Sequence, residues 1–569
     1  ADDDAPTDDD APTDDDAPTD DDVPADDDAP SEPPDAGGAV VVTDGELYDC
    51  GDGDATNALE VSGTIEDDQT WSGTIHVPDY AYINGTVTLE PGTQVIAGPD
   101  ALIYVYGTII AEGTPERPVR MCGESASTGF WQGLQFGSAA SNSELRNVLI
   151  SGGGSSYRAA LDLTTTDVLI DNVQVRNSEN AGVFAAGFTA GSSGLHVEGT
   201  SGVAVDLSTP RAVATFPTDS TLTNNSDDVI QLSFTGVNES LVFRNLGVPY
   251  LQTSTLYASE DVEFESGVEY RLAAESTLTF SSGSVRALGT EQAPVSFIGA
   301  EPLPGYWRTI TISSSVAATS RLENVVIRHG GQTGIPVLDV QRAITILGLT
   351  LEDNGGTMTI AAAGVSSSSD RWSFSGCDCR PLDVTPDSMF LLPETVTFTG
   401  NAPDAIGVSG GYTAAETTGT IRNYGVPYEI DSTLYQYSDN DWTFEPGVEF
   451  RFDIDANLSF QYGSRVTAVG TPDAPIRFVG QEATAGYWQG LVITDVATPS
   501  RFEYLVVADG GGGNVMPNAC ISLNEAVSLE NSSIENCLGS GILKLATDMT
   551  DYTESNTFSG IEGESVVDR

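Results

Sequence analysis

The chain has 569 residues, 84 acidic side chains against 22 basic ones and a formal net charge of −62, with Lys544 as its lone lysine. That balance excludes nucleic acid and anionic membranes as partners, and no apolar run is long enough to span a bilayer. Sixty glycines, with abundant Thr, Ser and Val, describe short strands joined by tight turns rather than helices.

Residues 1–38 form an Asp/Pro-rich tail in which DDDAPT recurs with a period of six. Asp triplets repel one another and the recurring Pro blocks helix and sheet, so a disordered, extended spacer is predicted. The start at Ala1 rather than Met points to a targeting segment already removed. A cap region is predicted over 39–65. Within it Asp49, Asp52 and Asp54 lie on a Gly-rich loop whose hard oxygen donors suit calcium, the one cofactor the sequence suggests. Gly63 stands where an EF-hand would have its bidentate Glu, and solvated carboxylates on a cap loop are the plainer reading.

From residue 66 one long module recurs three times, over 66–245, 246–423 and 424–569. Gly92, Gly267 and Gly447 close its first turn. Gly113, Gly289 and Gly470 each precede a Thr, and Pro118, Pro294 and Pro475 follow. Trp131, Trp307 and Trp488 come next. Arg-Asn-Leu-Gly-Val-Pro-Tyr at 244–250 and Arg-Asn-Tyr-Gly-Val-Pro-Tyr at 422–428 restart the second and third copies. Apolar runs of four to seven residues end at Gly, Asn, Asp or Pro and return every twenty-odd residues, the repeat of one β-helix coil. Asn531 and Asn536 fall at turns, where Asn tolerates left-handed backbone. At roughly 4.8 Å per strand, about 24 coils would give a rod near 115 Å long. The predicted fold class is all-β, a parallel β-helix of three tandem modules.

The lead-in Trp71, the turn Leu89 to Thr93, then Gly113-Thr114, Pro118 and Trp131 to Gly133 resemble bacterial secreted right-handed parallel β-helix repeat proteins of the pectin-lyase-like fold, non-catalytic type. The resemblance spans about 66–569, with the later coils looser. The second module departs from it, with Ser266 for Pro and Arg308-Thr309 for Gln-Gly. It implies the fold and is nearly silent on activity.

Six cysteines fit an oxidising compartment: Cys50, Cys122, Cys377, Cys379, Cys520 and Cys537 are disulfide candidates. Cys520 and Cys537 lie a little under one coil apart, so they can face each other on adjacent rungs. Three histidines make zinc a poor fit. Acidic pairs such as Asp227-Asp228, Asp439 with Asp441 and Asp453 with Asp455 lack the cations that uronate-cleaving sites use, so no catalytic residue is assigned. His329 is the best single base, aligned with Ser151 and Ala508, but it has no visible partner. A Trp at the same place in every module, Trp131, Trp307 and Trp488, is read first as packing at a coil corner; stacking on carbohydrate, with Tyr306 and Tyr487 beside two of them, is the secondary reading. The functional expectation is an extracellular or cell-surface structural rod that self-assembles head-to-tail or contacts matrix carbohydrate. The alternative is a carbohydrate-active β-helix enzyme or a carbohydrate-binding adhesin.

Overall fold

In the computed structural model, Cys50 and residues 54–569 are described, apart from 156, 165, 362–363, 415–416, 437–439 and 514–517. The Asp/Pro-rich tail, Asp49 and Asp52 therefore lie outside the described residues. Alternation does the local work. In Thr74–Val77, Ile75 and Val77 point into the core and Thr74 and His76 face outward; the next coil repeats this at Gln94–Ala97, paired Thr74↔Gln94 in parallel. Early coils of a module carry three short strands, as in Gln69–Trp71, Thr74–Val77 and Tyr80–Ile83. Every ladder between these strands is parallel, so the chain stacks as an all-β solenoid of about 20 turns.

That is fewer than the 24 expected, because later coils are longer. Glu144 pairs with Leu169 and Arg321 with Thr345, so those turns consume 25 and 24 residues. At about 4.8 Å per turn the rod is near 95 Å long. In these coils the first two strands fuse into one eight-residue strand, Glu144–Ser151, Leu169–Arg176, Arg321–Arg328 or Thr345–Glu352. The bend between the halves needs left-handed backbone, supplied by Asn147 (φ 47°), Asn172 (φ 55°) and Asn324 (φ 46°). Their amides tie coils together: Asn172 Nδ2 donates to Asn147 Oδ1 at 2.8 Å and Asn147 Nδ2 to the Gly113 carbonyl at 3.0 Å. Asn324 repeats the second bond to Gly289 at 3.0 Å. The recurring glycine has a steric cause here. A Cβ on Gly113, Gly289 or Gly470 would lie 2.3, 2.4 or 2.7 Å from a carbonyl oxygen of the next coil.

The modules are joined with a twist of phase. The column holding Gly133–Phe136 continues through Val203–Leu207 and Asp227–Leu232 to Tyr250–Gln252 and Val295–Gly299, seven pairings in all. Val295–Gly299, however, corresponds in sequence to Val119–Gly123, the strand before Gly133–Phe136. The second junction does the same: seven pairings lead from Thr309–Ile312 to Ile476–Gly480. Each module is thus turned by one face relative to the one before.

The restart motif builds this joint. Tyr250 and Tyr428 are buried and donate to the carbonyls of Arg244 and Arg422, both at 2.9 Å. Asn245 and Asn423 receive Gly247 and Gly425 N–H at 3.1 and 2.9 Å and donate from Nδ2 to the carbonyls of Ser266 and Pro446. Arg244 and Arg422 reach back to the carbonyls of Phe216 and Leu392, just beyond the helical turns Pro210–Ala214 and Pro386–Leu391.

Candidate functional site

The predicted sites separate into those the fold uses inside and those it leaves outside. All six cysteines pair, as Cys50–Cys122, Cys377–Cys379 and Cys520–Cys537. Asp54 is exposed and accepts Thr56 N–H at 2.8 Å and the Thr56 hydroxyl, bonds that hold its carboxyl below the usual range. Among the described residues no group of three His, Cys, Asp or Glu is placed to hold a metal.

The tryptophans pack at coil corners and leave the secondary, stacking reading without a surface. Trp131, Trp307 and Trp488 are at most 1% exposed, with no face left for a sugar. Each indole N–H donates to the carbonyl of Ser151, Arg328 or Ala508, at 2.9, 2.8 and 2.7 Å. An interior site demands that bond, because an unpaired N–H buried in an apolar core costs about 1–3 kcal/mol. Tyr306 and Tyr487 remain half-buried at the same corner. The Tyr487 hydroxyl sits 3.4 Å from Asp453, and desolvation with that carboxylate raises its pKa.

The same indole bonds correct the alignment of His329. Its counterparts are Gly152 and Asp509, one residue beyond Ser151 and Ala508, and all three are left-handed with φ of 65°, 69° and 65°. His329 therefore occupies a coil corner where the backbone, not the imidazole, sets the requirement. Burial pushes its pKa below the ordinary value. One member of each acidic pair is likewise engaged. Asp228 accepts from Asn225, Asp441 pairs with Arg465 at 3.4 Å, and Asp453 accepts from Ile454 N–H at 2.7 Å; Asp439 lies outside the described residues.

An aromatic surface does exist, elsewhere. Tyr80, Tyr82, Tyr104 and Tyr106 face outward from two consecutive coils of the first module, in Tyr80–Ile83 and in and just after Leu102–Val105. Tyr82 pairs in register with Tyr104. Ring centroids are 5.0 Å apart for Tyr80 and Tyr82, 6.1 Å for Tyr82 and Tyr104, and 4.5 Å for Tyr104 and Tyr106. Gly137 clears the floor beneath them: a Cβ there would lie 2.7 Å from Tyr104 Cε1 and 3.2 Å from Tyr106 Cδ1. One coil on, Gln135 continues the row above Tyr104 and accepts from Arg158, and Asp162 follows it. Partial burial, with Tyr106 and Asp162 nearby, raises the Tyr104 pKa.

The signal for this platform was in the sequence as Tyr-Ala-Tyr (80–82) and Tyr-Val-Tyr (104–106). In a strand, an i, i+2 pair shares one face, and a separation of about one coil stacks two such pairs. Compared with protein-family models, curated proteins and solved structures, the chain matches none.

Proposed function

We propose that this protein is a non-catalytic, acidic structural rod of the extracellular space or cell surface, able to join head-to-tail into fibres. The observation that carries the reading is the repetition of the joint. Two junctions 178 residues apart in the restart motif (Tyr250 and Tyr428) use the same tyrosine, asparagine and arginine bonds to advance the module by one face. Chemistry needs a unique constellation, whereas here the recurring polar groups are spent on holding coils together. Three disulfides agree with an oxidising compartment.

Sedimentation velocity and negative-stain microscopy, each with millimolar calcium and with chelator, test this reading. Rods near 95 Å long, and filaments built from them, are expected. A compact particle would sink the rod, and a strictly monomeric rod under every condition would sink the fibre.

A further inference from the structure

Internal repetition supplies a control that a single structure rarely offers. Hydrogen-bond register makes Tyr82, Tyr257 and Tyr435 equivalent, since each sits one coil before Tyr104, Thr279 and Ser459. The neighbours of Tyr82 are not repeated at their positions, although in the third module Tyr435 stacks instead on Tyr412 of the coil before, with ring centroids 4.5 Å apart. Where the first module has Tyr80, Tyr104 and Tyr106, the second has Thr255, Thr279 and Ser281 and the third Thr433, Ser459 and Gln461. Gly137, whose N–H donates to the Val105 carbonyl, matches Ser313 and Thr494, which donate to the equivalent carbonyls of Phe280 and Phe460. The scaffold therefore folds twice with Thr, Ser or Gln in place of the three rings and the glycine. The three added rings and the glycine beneath them serve something other than the coil.

We infer that this four-tyrosine face of the first module binds a neutral polysaccharide by stacking of sugar rings on the phenols. Three observations choose that occupant. First, size: Tyr80 is 39% and Tyr106 43% exposed, with the inner rings partly so. Four such side chains offer on the order of 300 Å², well below the ~800 Å² per partner of a stable protein interface. Second, charge: the whole chain carries −62, which repels anionic glycans, and Arg158 beside the platform is already bonded to Gln135. Third, shape: the four rings on two consecutive coils of a parallel sheet lie 4.5–6.4 Å apart and are tilted 38–55° to one another, with hydroxyls beside their apolar faces. That is the combination a sugar needs, C–H faces on π surfaces with hydroxyls at the rim.

Native electrophoresis of the full chain through gels containing a neutral glucan (hydroxyethylcellulose), glucomannan or xyloglucan tests this, with carboxymethylcellulose and chitosan as charged controls. Retardation by at least one neutral polymer is expected, with none by carboxymethylcellulose. The triple variant Tyr80→Thr/Tyr104→Ser/Tyr106→Gln carries residues the other modules already tolerate. It should keep its circular dichroism spectrum and bind about tenfold more weakly or worse, as loss of three stacking rings implies. Gly137→Thr keeps every ring but lifts two of them, and should weaken binding severalfold. The proposal is overturned if no neutral polymer retards the protein, if chitosan alone does so, or if the triple variant is retarded as strongly as the parent.

Discussion

The two module junctions share one backbone joint and dress it in opposite ways. In both, an Asn on the last coil is held by an Asp three residues on, Asn225 by Asp228 and Asn401 by Asp404, through N–H and Nδ2 bonds of 2.7–2.9 Å. In both, that Asn also donates to a carbonyl of the coil before, Val197 or Phe374, at 3.0 Å. Outside this frame the junctions diverge. The outward row of the first reads Asp206, Gln231, Leu251, Arg271; that of the second reads Asp383, Gly407, Glu429, Arg451. At the first, Gln231 Nε2 donates to Asp206 at 2.9 Å, a neutral donor on a part-buried carboxylate. At the second, Gly407 leaves an opening that Arg380 crosses. Its guanidinium reaches Asp383 at 2.6 Å, Glu429 at 3.2 Å and Asp431 at 2.9 Å. Val203 stands where Arg380 would be at the first junction. The lesson is that the joint is set by backbone-directed side chains, while its outer face is free to solve the problem of acidity by sparing acids or by gathering three around one cation.

Removing that cation should therefore have the largest effect, and only at the second junction. Arg380→Leu strands the part-buried carboxylates of Asp383 and Glu429 beside the exposed Asp431, and a cost at or just below the lower bound of the roughly 3–5 kcal/mol for breaking a fully buried pair is expected. Hydrogen exchange of the strands Leu382–Val384, Ile406–Val408 and Tyr428–Ile430 should accelerate by about a hundredfold while Val203–Leu207 and Tyr250–Gln252 stay unchanged. Uniform protection in the variant would show that the cluster is surface decoration. A smaller loss is expected from Gly407→Ala. The added Cβ would lie 2.1 Å from Asp383 Oδ1 and 2.2 Å from Arg380 Nε, so the guanidinium must move. A cost of about 1–2 kcal/mol, read in the same strands, follows from overpacking. The mirror substitution, Gln231→Gly, loses the bond to Asp206 and a longer one to Ser233 and should cost about 1 kcal/mol at the first junction.

Much of this architecture was legible because periodicity is a chain-wide signal. Alternation, coil-length spacing and the anchors Gly113, Pro118 and Trp131 all report local backbone demands, so they specified strands, turns and three modules. The one-face advance was not legible. It depends on which column Tyr250 joins, and a count of residues between anchors does not say whether seven turns or seven and a third have passed. The candidate surface was half legible. The indoles are conspicuous, yet Trp131, Trp307 and Trp488 each lie two residues before a strand whose alternation would point them outward, and it is the coil corner rather than the period that buries them. The tyrosine pairs carried the outward parity openly, at 80 and 82 and at 104 and 106. His329 was misplaced by one residue because Gly152 and Asp509, its true counterparts, share a backbone conformation rather than a side-chain type.

The smallest effect separates the junctions by pH. Burial lifts the Asp206 carboxyl above its ordinary pKa, with Ser233 and Gln231 only partly opposing it. A carboxyl raised on folding is protonated more readily in the folded chain than in the unfolded one. Stability at the first junction therefore grows as pH falls through the raised value and is lost as pH climbs back through it. Asp206→Asn, which keeps the shape and removes the charge, should protect the first junction at pH 7 by up to about 1 kcal/mol and flatten its pH dependence. Burial raises Asp383 too, but there Arg380 pulls it down while Asp431 pushes it up. Protonating Asp383 also gives up an ion pair that protonating Asp206 does not. Acidification from pH 7 should accordingly slow exchange in Val203–Leu207 more than in Leu382–Val384, and Asp206→Asn should abolish that contrast. Exchange that responds equally in both strands, or a contrast that survives the substitution, would mean that these carboxylates do not distinguish the junctions.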